Sequence, residues 1–438
     1  MRLLLATLLL AAPAVAAPTF SADRIKADVT FLADDLLEGR DTGSRGHEIA
    51  ARYVAAQFAV AGLKPGAKDG SWFQRVTLQE RKLGEAGASL TITGPGGSRT
   101  WANGTSLVFR PSTGEPATDL TATAVFVGYG LDAPAQGFDD FAGLDVRGKI
   151  VVYLNGLPKG PPNETWAHLA ATRAKMAAAR GAVGSIGIDT DESAARRPWS
   201  RILPTATVPR MVSVGADGRP LGSAAALRGE ASLDREPAEF LFTGAPTALA
   251  PLRAAVAAGK RPKGFALPAT IRMRSTVVTR TLTSPEVIGI IPGRHPVLKS
   301  EFVVLMAHVD HLGIRPGKTG DNIYNGALDN AAGTAVMLEV ARAFAAGPAP
   351  KRSVMFVANT AEEKGLLGAE AFANDPPVPI GDVVSVVDLD QPMLLYDFTD
   401  VIAFGADHST LGQSVARWYA GNYFGDAFAP RAPRAQRP

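Results

Sequence analysis

The amino-acid sequence predicts an α/β protein in which a mixed, mainly parallel sheet lies between helices and a β-rich module is inserted. Almost continuous apolar runs at residues 302–306, 353–358 and 383–389 are typical of strands buried on both faces. A helical pattern at residues 330–346 separates the first two runs, as expected where a helix connects parallel strands. The inserted module is predicted because strand-like runs alternate with turn residues from about residue 117 to residue 261.

Two amphipathic helices are predicted ahead of the inserted module. Apolar residues recur in them at helical spacing, at Ile25, Val29, Leu32 and Leu36 in the first and at Ile49, Tyr53, Ala56 and Val60 in the second. Ser21 stands where it can cap the start of the first helix, and Gly62 stands where it can end the second. Both helices are expected to complete the α/β layer of the main domain.

The predicted domain organisation follows from these patterns. Residues 18–116 form the N-terminal part of the main domain, residues 117–262 form the inserted module, and residues 263–420 form the C-terminal part. Residues 421–438 are rich in Ala, Pro and Arg, a composition that builds neither a strand nor a helix. We expect an irregular tail there.

The N-terminus is typical of a secretory signal. Arg2 provides a basic start, residues 3–12 are almost wholly apolar, and Ala14-Val15-Ala16 matches a small-x-small cleavage site. The apolar run is shorter than the ~20 residues that a membrane-spanning helix needs. We therefore expect residues 1–17 to be removed, with export from a bacterial cytoplasm to the periplasm or medium and no stable membrane anchor.

Composition excludes several classes of protein. The chain has no cysteine, so disulfides and a lipoprotein anchor are excluded, and a large core is expected to hold the exported protein together. The formal net charge is +3, but Arg2 and the arginines at 431, 434 and 437 account for four positive charges. The body of the chain is thus close to neutral and shows no basic stripe, which argues against nucleic acid as a partner.

Four polar motifs follow strand-like runs or open a predicted helix. They are AHVDHLG at residues 307–313, GALDNAAG at 326–333, TAEEKG at 360–365 and DLD at 388–390. Since the carboxyl ends of parallel strands meet at one edge of a sheet, these side chains are expected to converge. Singly, each motif has an ordinary structural interpretation, such as a helix cap, a solvated pair or a turn. Their joint occurrence favours a functional site.

The residue types in these motifs indicate a catalytic metal site. Imidazole and carboxylate ligands together suit zinc, and the absence of thiolates argues against a structural zinc site. Cobalt and manganese accept the same atoms. In the adjacent pair Glu362-Glu363, one carboxylate can bind a metal while the other acts as a general base.

The motifs AHVDHLG, NGALDNAAG, TAEEKGLLG and VVSVVDLD resemble those of the zinc aminopeptidase family, which includes bacterial leucyl aminopeptidases, glutamate carboxypeptidase and the transferrin receptor. The N-terminal segment FLADDLLEGRDTGSRG shares this resemblance. The segments GYGLDAPAQGFDDFAGLDVRGKIVVYL and AAARGAVGSIGI are similar to a protease-associated domain, which would be the inserted module. The resemblance implies the zinc exopeptidase fold for the main domain.

The resemblance also implies a role for each residue and a pair of zinc ions. His308 and Asp390 would bind one zinc, Glu363 would bind the other, and Asp329 would bridge both. Glu362 would be the general base for a zinc-activated water that attacks the scissile carbonyl. A cis peptide bond is implied directly after the bridging aspartate.

Two neighbours of these ligands are singled out as well. Asp310 is expected to orient the His308 ring from behind, as partners of a metal-binding histidine do. Asp388 is the alternative to Asp390. The family places this ligand after an apolar residue that follows the strand, which favours Asp390.

The family pattern requires one further histidine after the last motif, to complete the site of Glu363. The chain has six histidines, and His311 is set aside because it follows His308 so closely. His408, in the segment GADHSTL, is an alternative, although the family has a similar segment ahead of its true ligand. We therefore expect the last ligand to be missing, and the Ala/Pro/Arg tail suggests a shifted reading frame or a truncated product.

The function predicted from these observations is that of an exported, zinc-dependent aminopeptidase acting on peptides. A carboxypeptidase or another amide hydrolase on the same site is one alternative. A catalytically impaired or non-catalytic homologue is another, because a ligand is expected to be absent. The pattern leaves the oligomeric state open.

Overall fold

The computed structural model describes residues 20–158, 163–222, 227–315, 317, 319–392, 403, 405–406 and 409–419. These residues fall into two compact units. The first unit holds the described residues up to 76 and from 283 to 392, and the second holds those from 77 to 282 and after 398. The predicted signal peptide and the predicted tail lie outside the described residues.

The boundaries between the units lie at residues 76/77 and 282/283, whereas the sequence suggested 116/117 and 262/263. The reason is visible in two long strands, Phe73–Gly94 and Phe265–Ile291, each of which runs through a boundary. Because the strand pattern continues across both points, nothing in the spacing of apolar residues marks them.

The first unit contains the helices that were predicted for the main domain and further helical segments. Their bounds are Ala22–Leu32, Arg45–Ala61, Gly333–Ala346 and Leu367–Asn374, with 3₁₀ turns at Asp35–Arg40, Leu298–Ser300 and Ile380–Asp382 and a π turn at Ala327–Ala332. The predicted start of the first helix and the predicted end of the second are found. The first helix ends earlier than predicted, at Leu32, and Leu36 lies in the following 3₁₀ turn, where it is 84% exposed. The Ser21 side chain accepts a hydrogen bond from the backbone N–H of Arg24, and Gly62 closes the second helix with a φ of 88°.

The strands of the first unit form a mixed, mainly parallel sheet, which confirms the predicted fold class. Phe302–His308 pairs in parallel with Ser353–Asn359 on one side and with Val383–Asp388 on the other. Ser353–Asn359 also pairs antiparallel with residues 287–291 of the long strand. Three short strands complete the unit: Lys64–Pro65, which pairs with residues 289–290, and the hairpin Gly313–Ile314 and Ile323–Tyr324.

Both faces of the central strands are covered, as the apolar runs predict, whereas the strand Val383–Asp388 alternates, with Val384 48% and Val386 45% exposed. Every residue of Ser353–Asn359 is buried. On one face Phe356 packs in a cluster with Phe58 and Met337 from two helices, and on the other face Met355 packs in a cluster with Phe372. Full burial of a side chain such as that of Phe58 contributes about 1.5–3 kcal/mol, so these contacts fix the helices on the sheet.

The buried face of the helix Arg45–Ala61 differs from the predicted one. Val60 is 85% exposed, whereas Val54 and Phe58 are fully buried. Tyr53 is only half-buried, and its hydroxyl donates a hydrogen bond of 2.7 Å to Asp28 Oδ1. The large Phe58 ring therefore sets the rotation of the helix, and the predicted stripe lies at the edge of the contact.

The second unit has a parallel core of its own. Ala117–Phe126, Ile150–Leu154, Gly184–Ile188 and Gly229–Leu233 pair in this order in parallel. The other strands, wholly or partly in this unit, are Phe73–Gly94, Gly97–Ala102, Leu107–Arg110, Asp132–Ala133, Phe138–Asp139, Arg210–Ser213 and Phe265–Ile291.

The second unit also contains several helices. They are Asn163–Ala179, Asp191–Arg196, Trp199–Ile202, Arg235–Leu241, Leu249–Ala257 and Thr410–Tyr419, with 3₁₀ turns at Pro134–Gln136 and Leu203–Thr207. The shorter ones escape periodicity because they span too few turns to show it. The likeness of the inserted module to a protease-associated domain remains a prediction.

Among the described residues, no helix combines the length and the apolar character needed to cross a membrane.

Candidate metal centre

The predicted site residues lie at one edge of the sheet in the first unit. His308 ends the strand Phe302–His308 and stands opposite Asn359, after which the chain continues to Glu362 and Glu363. In the same sheet Met306 stands opposite Asp388, two residues ahead of Asp390. The parallel register therefore brings the ends of three strands together, as the sequence suggested.

One group of possible ligands consists of His308, Asp329 and Asp390. His308 Nε2 lies 3.2 Å from Asp329 Oδ1 and 3.4 Å from Asp390 Oδ1. Two ligands on one tetrahedral zinc are about 3.3 Å apart when each bond is ~2.0–2.1 Å long. The two distances are thus those of ligand atoms that face a common point. Asp390, and not its alternative Asp388, belongs to this group.

A second group consists of His311, Asp329 and Glu363. His311 Nδ1 lies 2.6 Å from Glu363 Oε1, and both side chains are largely buried. The sequence argument set His311 aside because it follows His308 so closely, and the structure contradicts that reasoning. The chain turns at Asp310, so that His308 and His311 face different partners.

Asp329 is common to both groups, which is the geometry expected of a bridging carboxylate. It lies in the π turn that precedes the helix Gly333–Ala346, and the Asp329–Asn330 peptide bond is cis, as the resemblance implied. Gln391 Nε2 donates a hydrogen bond of 2.9 Å to Asp329 Oδ2. The Asn330 side chain donates to Leu389 O at 2.8 Å and accepts from Gly333 N at 2.9 Å, which ties the two ligand segments together.

Asp310 orients its neighbours differently from what was predicted. The His308 Nδ1 atom lies 3.0 Å from the backbone carbonyl oxygen of Asp310, while the Asp310 carboxylate is 3.9 Å away. That carboxylate instead accepts hydrogen bonds from the backbone N–H of Glu362 at 3.1 Å, from that of Glu363 at 3.3 Å and from the Thr42 hydroxyl at 3.0 Å. Asp310 therefore fixes both the His308 ring and the Glu362-Glu363 turn.

Arg40 is a structural residue of the site that the sequence did not reveal. Its buried guanidinium donates to the carbonyl oxygens of Val309 at 2.7 Å, Asn325 at 2.6 Å and Gly326 at 3.0 Å, and also to that of Leu32. Burial lowers the pKa of Arg40 to about 10, so the group remains charged. Most of these carbonyl oxygens are distant from Arg40 in sequence and leave no local pattern, which explains why it was missed.

The electrostatics of the site follow from burial and crowded acids. Burial lowers the pKa of His308, but Asp390, Asp310 and Glu362 outweigh it and raise that pKa to about 9. Burial also raises the pKa of Glu362 to about 7. Burial, followed by the charge of Glu363, raises the pKa of Asp329. The cluster thus holds more negative charge than it can neutralise by itself, as a cation site does.

The donor set fits zinc. His308 Nε2, His311 Nδ1 and Glu363 Oε1 are buried and have no hydrogen-bond partner among the residues that the structure describes. Buried polar atoms normally have partners, so lone pairs directed at shared points need an explanation, and a cation supplies one. Imidazole nitrogens and carboxylate oxygens without thiolates are what catalytic zinc sites use. His408, the other candidate from the sequence, lies outside the described residues.

Comparisons with known proteins agree with the motifs. Residues 286–428 match the model of peptidase family M28, which confirms for this segment the resemblance predicted above. A 92-residue stretch is 36% identical to aminopeptidase YwaD of Bacillus subtilis (strain 168) and covers 21% of this chain and 18% of that protein. The chain therefore spans less than a fifth of the length of this relative.

Solved structures with similarity to the chain include an aminopeptidase from Aneurinibacillus sp. strain AM-1, at 20% identity and a TM-score of 0.43, covering 85% of this chain and 70% of that one. Another is BSAP, a zinc aminopeptidase from Bacillus subtilis, at 19% identity and a TM-score of 0.34, covering 86% and 70%.

Proposed function

We propose that this chain is a zinc-dependent aminopeptidase that hydrolyses the N-terminal peptide bond of peptides. One observation carries the proposal: two groups of ligand atoms share Asp329, and the uncommitted carboxylate of Glu362 stands beside them. The M28 match of residues 286–428 supports peptide hydrolysis as the reaction. Zinc ions bound there would supply Lewis acidity, which lowers the pKa of a water molecule and polarises the scissile carbonyl.

Glu362 is the residue we assign as general base. Its Oε2 lies 3.9 Å from His308 Nε2, so the carboxylate is next to the ligands without belonging to either group. Its pKa of about 7 suits a group that takes a proton from water and returns it to the leaving amine near neutral pH. The hydrogen bond from its own N–H to Asp310 holds the backbone still while the side chain transfers the proton.

The choice of an aminopeptidase over a carboxypeptidase or another amide hydrolase has separate support. The ligand set serves each of these reactions equally well, so it does not discriminate among them. The Bacillus subtilis relative with 36% identity over 92 residues carries the name aminopeptidase. We extend that activity to this chain and propose peptides as its substrates. We also propose that the protein is exported from the cytoplasm.

The experiment that tests the proposal compares peptides blocked at either end. The full chain with zinc is incubated with one peptide in three forms, free, N-acetylated and C-amidated, and products are identified by mass. An aminopeptidase cleaves the free and C-amidated forms and leaves the N-acetylated form intact. Cleavage of the free and N-acetylated forms, with the C-amidated form left intact, would indicate a carboxypeptidase, and no cleavage of any form would contradict the enzymatic proposal.

Glu362→Gln is the matched variant for this assay. The amide keeps the shape of the side chain but takes up no proton, so kcat is expected to fall by about 10²–10⁴-fold. Since Glu362 belongs to neither ligand group, the zinc content of the variant should equal that of the wild type. Unchanged turnover would remove Glu362 from the mechanism.

A further inference from the structure

The second ligand group raises the question of which imidazole serves it. The sequence led us to expect that its histidine is missing. Among the residues that the structure describes, His311 is the histidine that forms a group with Asp329 and Glu363. His47 Nδ1 lies 3.3 Å from the Ser284 hydroxyl, in a different environment.

The backbone holds His311 firmly in this position. Its N–H donates to Arg40 O at 3.1 Å, and it forms a parallel β-bridge with Asp41. The residue is 8% exposed. Gly326 approaches the ring so closely that a Cβ at that position would lie 2.7 Å from His311 Cγ. The ring is therefore fixed before any ligand arrives, as an organised metal site requires.

The His311–Glu363 pair places two buried ligand atoms within reach of a shared ion. His311 Nδ1 and Glu363 Oε1 form an ion-pair contact of 2.6 Å, and both atoms are buried without any further partner within the described part of the chain. These two atoms with Asp329 close by make a three-ligand set. The separation is shorter than the ~3.3 Å between ligands on tetrahedral zinc, so the pair would open slightly around an ion.

We propose that His311, through Nδ1, is the imidazole ligand of the second metal site, together with Glu363 and the shared Asp329. The proposal rests on the proposed function in assuming that the centre binds metal. One motif, AHVDHLG, then supplies an imidazole to each site, His308 through Nε2 and His311 through Nδ1. The centre becomes complete with three protein ligands at each ion, one of them shared, and needs no histidine from the C-terminal segment.

Cobalt binding to a cysteine variant tests this assignment directly. Nδ1 is close to the β-carbon, and a metal–sulfur bond of ~2.3 Å is longer than a metal–nitrogen bond of ~2.0–2.1 Å, so the sulfur of His311→Cys should reach the same ion. The natural chain has no cysteine, so a thiolate-to-cobalt charge-transfer band reports on the introduced residue alone. We expect this band in His311→Cys of the full chain loaded with cobalt.

His168→Cys is the matched control. His168 lies on the helix Asn163–Ala179, where the side chain is exposed, and a thiol there should give no band. A band in the control equal to that of His311→Cys would overturn the assignment, as would the absence of a band in a His311→Cys protein that binds two cobalt ions.

His311→Ala provides the second measurement, by equilibrium dialysis against zinc or cobalt. One of two ions should be lost with a fall in affinity larger than the roughly 10–100-fold that removal of an outer partner costs. The other ion should stay bound, because His308 and Asp390 are untouched. If the variant retains both ions at wild-type affinity, His311 is no ligand although the metal centre stands. If the wild type itself binds no metal, the proposed function fails together with this assignment. Circular dichroism establishes that each variant is folded.

Discussion

The two ligand groups of the centre differ in how they are built. The group of His308 and Asp390 uses residues at or just beyond the ends of neighbouring parallel strands, and its atoms already lie at spacings of 3.2 and 3.4 Å. The group of His311 and Glu363 is closer, at 2.6 Å, and is held by loops rather than by strand ends. The first group is thus fixed by the sheet, whereas the second depends on contacts that keep two loops in place.

Those contacts belong mainly to Arg40 and Asp310. Arg40 donates hydrogen bonds to the carbonyl oxygens of Val309 and Gly326. Val309 is two residues from His311 in sequence, and Gly326 lies against the His311 ring. Asp310 holds the backbone of Glu363. The comparison teaches that similar sets of ligand types can be organised either by sheet register or by buried side chains that bind loop backbones.

The largest effect is expected from Asp329→Asn, which breaks both groups at once. The amide keeps the shape but loses the negative charge and replaces one carboxylate oxygen by an N–H₂ donor. Metal content by dialysis should fall from two ions per chain to fewer than one. The control is Asp375→Asn, an exposed aspartate outside both groups, which should leave metal content unchanged. Retention of two tightly bound ions in Asp329→Asn would show that it does not bridge the groups.

A smaller but selective effect is expected from Arg40→Met. The change leaves carbonyl oxygens buried without a donor at roughly 1–3 kcal/mol each, so the free energy of unfolding should fall by about 3 kcal/mol or more. Urea unfolding measures this loss, and Arg52→Met, at an exposed arginine, should change it by less than about 0.5 kcal/mol. Under native conditions the variant should lose affinity for the ion of the second group more than for that of the first.

If Arg40→Met lowers the affinity for both ions equally, the distinction between the two groups is contradicted. Such a result would mean that the loops and the strand ends respond as one body. If the variant binds each ion with the same affinity as the wild type, the role of Arg40 itself is contradicted.

The smallest effect is expected from Glu286→Gln, which should change stability without touching either group. Burial raises the pKa of Glu286 well above its usual range, and neither carboxyl oxygen has a hydrogen-bond partner among the described residues. Because this pKa is raised, the folded state keeps a proton that the unfolded state releases. Stability should therefore fall as the pH rises above the ordinary carboxyl range, up to the folded pKa.

Glu286→Gln should flatten this dependence and make the protein more stable than the wild type near neutral pH, because the amide has no proton to release on unfolding. Thermal unfolding between pH 4 and pH 8 measures both effects. Metal content should equal that of the wild type. A variant with the same pH dependence as the wild type would show that Glu286 does not titrate with folding.

Much of the first unit was predictable from the sequence because its signals are local. Apolar runs mark buried strands, and polar residues directly after them mark the edge where His308, Asp329 and Asp390 meet. The position of the unit boundaries was not predictable, since two strands continue through them.

The second group escaped prediction for a different reason. Closeness in sequence says little about direction, and His308 and His311 belong to different ligand groups although only two residues separate them. The choice between the carbonyl and the carboxylate of Asp310 is equally hidden, because both atoms belong to one residue and only the fold decides which one contacts the ring.

The measurement that tests the account most directly is the zinc stoichiometry of the folded, full chain. Metal-free protein is titrated with zinc by calorimetry, and bound zinc is counted after dialysis. Two ligand groups that share Asp329 predict two zinc ions per chain, bound in two resolved steps. One ion or none at saturation would contradict the account, since the second group would then hold no metal.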